Sequence, residues 1–131
     1  MNGSCLCRSV LYQVKRFSGS IVHCHCRTCQ KAHAAIFTST ARVKRVDFIW
    51  LKGEEKLGAY ESSVGKIRRF CTQCGTQIIA EWLDQDEVIL RVVTLDDEPD
   101  VSAKAHIWKS HDLEWLDYDT SLKTYQEKYS S

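Results

Sequence analysis

The stretch VHCHCRTCQK, residues 22–31, places the cysteines Cys24, Cys26 and Cys29 within six positions, with two histidines between and before them. Such a group can be a set of disulfide partners, a complete metal site, or a three-ligand metal site with one open position. The choice matters for function, because an open coordination position is typical of a catalytic zinc. The rest of the sequence is needed to decide.

Length and composition describe an ordinary globular protein. The chain has 131 residues, of which 44% are apolar and 27% are charged, which predicts a single domain over residues 1–131 with its own core. No stretch approaches the roughly 20 apolar residues of a membrane helix, and the N-terminus has no apolar signal segment. We therefore expect a cytoplasmic protein without membrane contact.

The charge balance argues against one class of partner. Lysine and arginine exceed aspartate and glutamate by one, so the formal net charge is +1 and no broad basic surface for nucleic acid is expected. No feature of the sequence indicates an oligomeric state.

The periodicity is mostly that of short strands. Segments such as SVLYQV, AIFTSTARV, VDFIWLKG, KIRRFC and EVILRVVTL are rich in β-branched and aromatic residues, and AHIWKSHDLEWL suggests a strand pair or a strand and turn. Leu122, Tyr125 and Tyr129 have the spacing of an amphipathic helix at the C-terminus. We predict a mainly β domain of short antiparallel strands with short helical turns.

The seven cysteines form three short groups, which read CLC, CHCRTC and CTQC. Their number is odd and the expected compartment is reducing, so a disulfide framework is disfavoured. Residues two apart on an extended segment face the same way, and a CxxC turn followed by a glycine, here Gly75, also directs two sulfurs to one ion. Thiolate ligands favour zinc, with an iron–sulfur cluster as the alternative.

Seven thiols divide naturally into four and three. The pairs Cys5/Cys7 and Cys71/Cys74 can close a four-sulfur site, which in zinc proteins is structural. The trio Cys24, Cys26 and Cys29 then has three ligands for a second ion. Its fourth position is either open or closed by one of the nearby histidines, which are His23, His25 and His33.

These motifs also occur in a recognisable order. The segments GSCLCRSVLYQV, CHCRTCQKAHAA, RRFCTQCGTQI, TLDDEPD and HIWKSHDLEWL, from Gly3 to about Leu116, resemble the glutathione-dependent formaldehyde-activating enzyme family, which includes the centromere-protein-V-like proteins. The resemblance implies a zinc-containing β-tent fold with two zinc ions per chain. It implies a structural zinc on the four paired cysteines and a catalytic zinc on the trio.

The same resemblance implies a carbon–sulfur lyase that joins a thiol such as glutathione to an aldehyde such as formaldehyde. A thiol bound to a metal loses its proton and can then be directed at an electrophilic carbon. This chain lacks the extra segments of the longer members that give the family its name. The resemblance therefore supports the metal site better than it supports these two substrates.

Other residues can assist this chemistry. His25 or His33 can act as a proton shuttle or can orient a metal ligand, and Arg27 and Lys31 can meet substrate carboxylates. Arg68 and Arg69 can likewise contact a substrate, or they can be ordinary surface charges. The tryptophans, expected in the core or in a pocket wall, are Trp50, Trp82, Trp108 and Trp115. A non-catalytic zinc module for interactions and a zinc/thiol redox sensor remain the alternative functions.

Overall fold

The computed structural model describes residues 1–116 and 122–128. In these ranges the chain forms ten β-strands and one α-helix, so the prediction of a mainly β protein with short strands is confirmed. The strands build one three-stranded and one seven-stranded sheet.

The smaller sheet is antiparallel throughout. It consists of β1 (Asn2–Ser4), β2 (Leu11–Val14) and β5 (Phe48–Lys52), in the order β1-β2-β5.

The larger sheet contains the remaining strands. They are β3 (Ile21–Cys24), β4 (Thr38–Lys44), β6 (Leu57–Ser63), β7 (Lys66–Cys71), β8 (Gln77–Trp82), β9 (Glu87–Arg91) and β10 (Ala103–Ile107). Their order in the sheet is β10-β3-β4-β9-β8-β7-β6.

One strand pair departs from the expected antiparallel arrangement. β10 runs parallel to β3, with Ile107 opposite Cys24. The connection 92–102 carries the chain from β9 to the far edge of the sheet, so that β10 enters beside β3 in the same direction. The segment AHIWKSHDLEWL accordingly forms one strand followed by a 3-10 turn at Lys109–His111, not a strand pair.

The main core lies between the two sheets. Tyr12 and Val14 from β2 pack with Val43, Ile79 and Leu90 from the larger sheet, and each of these side chains is at most 1% exposed. Full burial of such an apolar side chain contributes roughly 1.5–3 kcal/mol. This packing fixes one face of the larger sheet and leaves the opposite face to carry other elements.

The helix α1 (Arg27–His33) lies against that opposite face, where Arg68 of β7 reaches Cys29. The helix begins after Cys26 and ends at Ala34, which has a left-handed φ of 49° and donates its backbone N–H to the carbonyl of Gln30. Because β3 leads directly into this helix, the CHCRTC motif lies at a junction between strand and helix.

The C-terminal prediction is only partly testable. Residues 122–128 form bends and no helix, and Tyr129 lies outside the described residues. Within the described ranges, no helix is long and apolar enough to cross a membrane.

Candidate metal centres and the adjoining cavity

The pairs Cys5/Cys7 and Cys71/Cys74 come together as a four-cysteine cluster, with all four sulfurs within 4.8 Å of one another. The Cys5 and Cys7 sulfurs are 3.7 Å apart, and those of Cys7 and Cys71 are 3.9 Å apart. Sulfurs on a tetrahedral zinc lie about 3.8 Å apart, so this spacing suits such an ion.

Two turns of similar construction supply these sulfurs. In the first, Arg8 has a left-handed φ of 63° and donates its backbone N–H to the Cys5 carbonyl at 3.0 Å. In the second, Gly75 has a φ of 81° and donates to the Cys71 carbonyl at 2.8 Å. Each turn thus directs two thiols towards the cluster. A hydrogen bond connects the two turns, because the Leu6 N–H donates to Thr76 Oγ1 at 3.0 Å.

Burial disfavours the charged thiolate form of the four-cysteine cluster when no cation is bound. Cys5 is 2% exposed and Cys71 is 0% exposed. Desolvation raises the pKa of Cys5 to about 11, and the neighbouring thiols act in the same direction. A bound cation removes this penalty, since it stabilises the thiolate form.

The second group is a three-cysteine cluster of Cys24, Cys26 and Cys29, whose sulfurs also lie within 4.8 Å of one another. Cys24 ends β3, and its sulfur is 3.7 Å from that of Cys29 in the first turn of α1. Cys26 caps the helix, because its sulfur accepts the Cys29 backbone N–H at 3.2 Å. The strand-to-helix junction thus brings all three sulfurs to one point.

Two buried arginines lie beside the three-cysteine cluster. Arg68 and Arg91 are each 3% exposed, and Arg68 Nη2 is 3.9 Å from the Cys29 sulfur. The hydrogen bond with Cys24 lowers the pKa of Cys29 to about 4, and the two arginines act in the same direction against the opposing effect of burial. The same hydrogen bond raises the pKa of Cys24, so the environment favours negative charge on the Cys29 sulfur.

A cavity of about 390 Å³, here called the cysteine cavity, opens over the three-cysteine cluster and is lined by all three of its cysteines. Trp82 and Trp108 form part of its wall, and Arg42, Lys66 and Arg91 bring positive charge to it. No acidic residue from the described part of the chain lines it. The cavity therefore suits a small molecule that carries negative charge.

Lys66 is held in place within the cysteine cavity. Its Nζ lies 5.4 Å from the centre of the Trp82 ring, a cation–π contact. Burial lowers the pKa of Lys66, and the charges of Arg68 and Arg91 lower it further. An amine of this kind gives up a proton more readily than an exposed lysine.

The described histidines do not belong to the three-cysteine cluster. His25 is fully buried, and its two ring nitrogens lie 2.6 Å from Asp112 Oδ1 and 2.8 Å from His106 Nδ1. His23 contacts Ser39 at 2.9 Å. Burial lowers the pKa of His33 to about 4, with Arg91 and Arg68 adding to the effect.

The segment 106–112 is tied to the start of α1. Gln30 Nε2 donates to the carbonyls of His25 and His111 at 2.9 and 3.1 Å, and the Arg27 N–H donates to His111 Nδ1 at 3.1 Å. Trp108 lies in this segment with a left-handed φ of 61°, and its ring reaches the cysteine cavity. For a residue other than glycine such a backbone is strained and needs support from its surroundings.

The remaining residues singled out in the sequence lie elsewhere. Arg27 and Lys31 line a different groove, described below, and Arg69 pairs with Glu81 at 3.3 Å. Trp50 packs against the main core, whereas Trp115 is 72% exposed. The cations of the cysteine cavity, Arg42, Lys66 and Arg91, were not recognised from the sequence. The alternation of side chains along β4, β7 and β9 is the signal that places them on one face.

The fold and the site together define a mainly β protein with two cysteine clusters suited to metal, one with four sulfurs and one with three. The family model for glutathione-dependent formaldehyde-activating enzyme matches residues 1–111. The chain belongs to this family, which confirms the resemblance found in the sequence.

The crystal structure of a Rhodobacter sphaeroides protein is similar to this fold, with a TM-score of 0.65 and 21% sequence identity over 79% of this chain and 100% of that chain. This likeness concerns the fold. No curated protein matches the sequence.

Proposed function

We propose that this protein is a carbon–sulfur lyase that forms or cleaves the adduct of a small thiol with an aldehyde. The observation that carries the proposal is a group of three cysteine sulfurs, without a histidine among the described residues, at a cavity lined by cations. Membership of an enzyme family named for glutathione and formaldehyde supports these two molecules as the substrates.

We propose zinc for both clusters. The Sγ distances of 3.7 and 3.9 Å suit a tetrahedral ion in the four-cysteine cluster. In the three-cysteine cluster, three thiolates and one Zn²⁺ carry a net charge of −1. Arg68 and Arg91 offset this charge, and Arg91 Nε and Nη2 have no hydrogen-bond partner among the described residues. When bound there, zinc supplies a Lewis-acid centre that ionises a thiol and holds its sulfur.

The chain's own residues bind and orient the substrates. Arg42 and Arg91 meet the carboxylates of a peptide-like thiol, while Trp82 and Trp108 exclude water from the cysteine cavity. When the adduct forms, a bond is made between the thiol sulfur and the carbonyl carbon of the aldehyde, and the C=O π bond breaks. The proton lost by the thiol ends on the former carbonyl oxygen. Lys66 Nζ donates a hydrogen bond to that oxygen.

For His25, which the sequence suggests as a proton shuttle or as an orienting residue, we propose a role of the second kind. Its ring is buried between Asp112 and His106 and is not part of the cavity lining. We propose that it is a positioning residue, which holds the segment that carries Trp108.

We also propose a domain organisation and a cellular compartment for this chain. Residues 1–131 form one domain of the β-tent type, and the protein is cytoplasmic. The seven cysteines, all free and all in the two clusters, support a reducing compartment.

The experiment is an NMR exchange measurement with glutathione and formaldehyde. We expect wild-type protein to accelerate the exchange of S-hydroxymethylglutathione, and the Cys26→Ser variant to lose the gain. Equal exchange rates with wild type, with the variant and without protein would contradict the proposal. A zinc content well below two ions per chain in anaerobically purified, folded protein would contradict the metal assignment.

A further inference from the structure

A second cavity lies on the same face of the larger sheet, on the other side of Arg68 from the cysteine cavity. It measures about 730 Å³ and runs between α1 and the strands β6, β7 and β8; we call it the α1 groove. Lys66 and Arg68 are two residues apart on β7 and therefore share a face, but Lys66 lines the cysteine cavity and Arg68 lines the α1 groove. No cysteine lines the groove, and Arg68 connects it to the three-cysteine cluster through its contact with the Cys29 sulfur.

The charge of the α1 groove is one-sided. Arg27 and Lys31 are four residues apart on α1 and therefore lie on one side of the helix, and Arg68 faces them from β7. No aspartate or glutamate is among the described residues that line the groove. Three positive charges without an acidic neighbour favour an anionic ligand.

Three buried polar groups in the α1 groove lack a partner within the described protein. Arg68 is 3% exposed, and its Nε and Nη1 donate no hydrogen bond. Ser62 Oγ and Gln77 Oε1 are likewise buried without a partner. Buried polar groups are normally satisfied, and leaving one unpaired costs free energy. A ligand with acceptor oxygens for Arg68 and a donor group for Gln77 would satisfy them.

Apart from Thr28, the rest of the groove lining is alanine and aromatic side chains. Tyr60 is 63% exposed and lines the groove beside Phe70, with Ala32 and Ala59 nearby. Aromatic surface next to arginine suits an organic ligand better than a bare inorganic ion, because the ligand body can pack on the rings.

We propose that the α1 groove binds a small organic carboxylate. The carboxylate lies against Arg68 and between the two cations of α1, and the apolar body of the ligand packs on Tyr60 and Phe70. The guanidinium forks of Arg27 and Arg68 match the planar carboxylate, which explains why arginine is present on both sides of the groove.

The test is an NMR titration of the metal-replete protein with N-acetylphenylalanine. We expect saturable shifts of the backbone amides of Tyr60, Ser62 and Gln77. Lys31→Ala should weaken the affinity about fivefold, the scale of one charged contact, and Arg27→Ala/Lys31→Ala should weaken it further. Both side chains are exposed, so these variants should keep the fold.

Matched controls separate the proposal from general charge effects. N-acetylphenylalaninamide has the same body without the charge and should produce no saturable shift in the α1 groove. Lys52→Ala removes an exposed charge from the smaller sheet and should leave the affinity of N-acetylphenylalanine unchanged.

Three results would overturn the proposal. The first is binding of the acid and the amide with equal affinity. The second is displacement of N-acetylphenylalanine by inorganic phosphate at equal concentration, which would assign the groove to inorganic anions. The third is an absence of saturable shifts in the groove.

Discussion

Asp112 Oδ1 lies 2.6 Å from Nδ1 of the fully buried His25, although 87 positions separate the two residues. The carboxylate accepts from the Nδ1–H, and Nε2 of His25 lies 2.8 Å from Nδ1 of His106. Since His25 directly follows β3 and Asp112 lies in the segment after β10, this contact fixes residues 106–112 beside the site.

The first prediction concerns that contact. Asp112→Asn should loosen residues 106–112 because it replaces a charge-assisted hydrogen bond to a buried imidazole, with a loss of about 1–3 kcal/mol in the free energy of local opening. Hydrogen exchange of the amides in this segment is the measurement. Metal content should stay unchanged, and Asp100→Asn, which alters an exposed carboxylate, serves as the control. Unchanged exchange in 106–112 would show that the contact does not hold the segment.

The second prediction distinguishes the two clusters. Cys71→Ser removes a buried ligand from the four-cysteine cluster and should unfold the protein, because a structural zinc contributes on the order of 10 kcal/mol to folding. Cys26→Ser should remove one metal equivalent and the activity while the fold persists. Circular dichroism and elemental analysis of both variants are the measurements, and equal loss of structure in both would contradict the two separate roles.

The third prediction concerns Lys66. Lys66→Met keeps the length of the side chain near Trp82 but removes the donor, so kcat should fall about 10- to 100-fold with little change in KM. Steady-state exchange rates provide both constants, and Lys52→Met is the matched control. If KM rises while kcat stays constant, Lys66 binds a substrate carboxylate instead.

The fourth prediction concerns pH. The folded-state pKa of His33 is about 4, below its ordinary value of 6.5, because burial and the charges of Arg91 and Arg68 oppose its protonation. The unfolded chain therefore binds a proton that the folded chain does not between these two values, and stability falls as pH drops from 6.5 towards 4. After allowance for partial solvent screening the loss is on the order of 1–2 kcal/mol.

Urea unfolding of wild type and His33→Gln at several pH values tests this effect. The variant should show a shallower loss of stability between pH 6.5 and 4 than wild type does. Parallel curves for the two proteins would show that His33 does not contribute to the pH dependence.

The sequence predicts the cysteine groups well because their geometry is local. Short spacing within each cysteine group lets the sulfurs face one ion, and both clusters form. The Cys5/Cys7 pair does so from a turn and not from the extended segment that the CxC pattern predicts. The mainly β character is predicted for a related reason, since strand periodicity is visible within a few residues.

Features that depend on distant pairing are not predicted. The sequence leaves Arg68 open between substrate contact and surface charge and does not single out Arg91, whereas both are buried in the folded chain. His25 lies between two cysteines in the sequence and so suggests a role at the metal. Its actual partners come from positions 106 and 112, which no local pattern connects to it. The parallel pairing of β10 with β3 also joins distant parts of the chain, so no local pattern in the sequence indicates it.

The different sequence spans of the two clusters also set an order of assembly. Cys24, Cys26 and Cys29 lie on one strand-to-helix junction, so their ligand set is complete soon after this short stretch leaves the ribosome. The four-cysteine cluster joins the first turn of the chain to the turn between β7 and β8, and closing so long a loop costs more entropy. Cys5 and Cys7 therefore lack the other two members of their cluster until more than half of the chain has been synthesised.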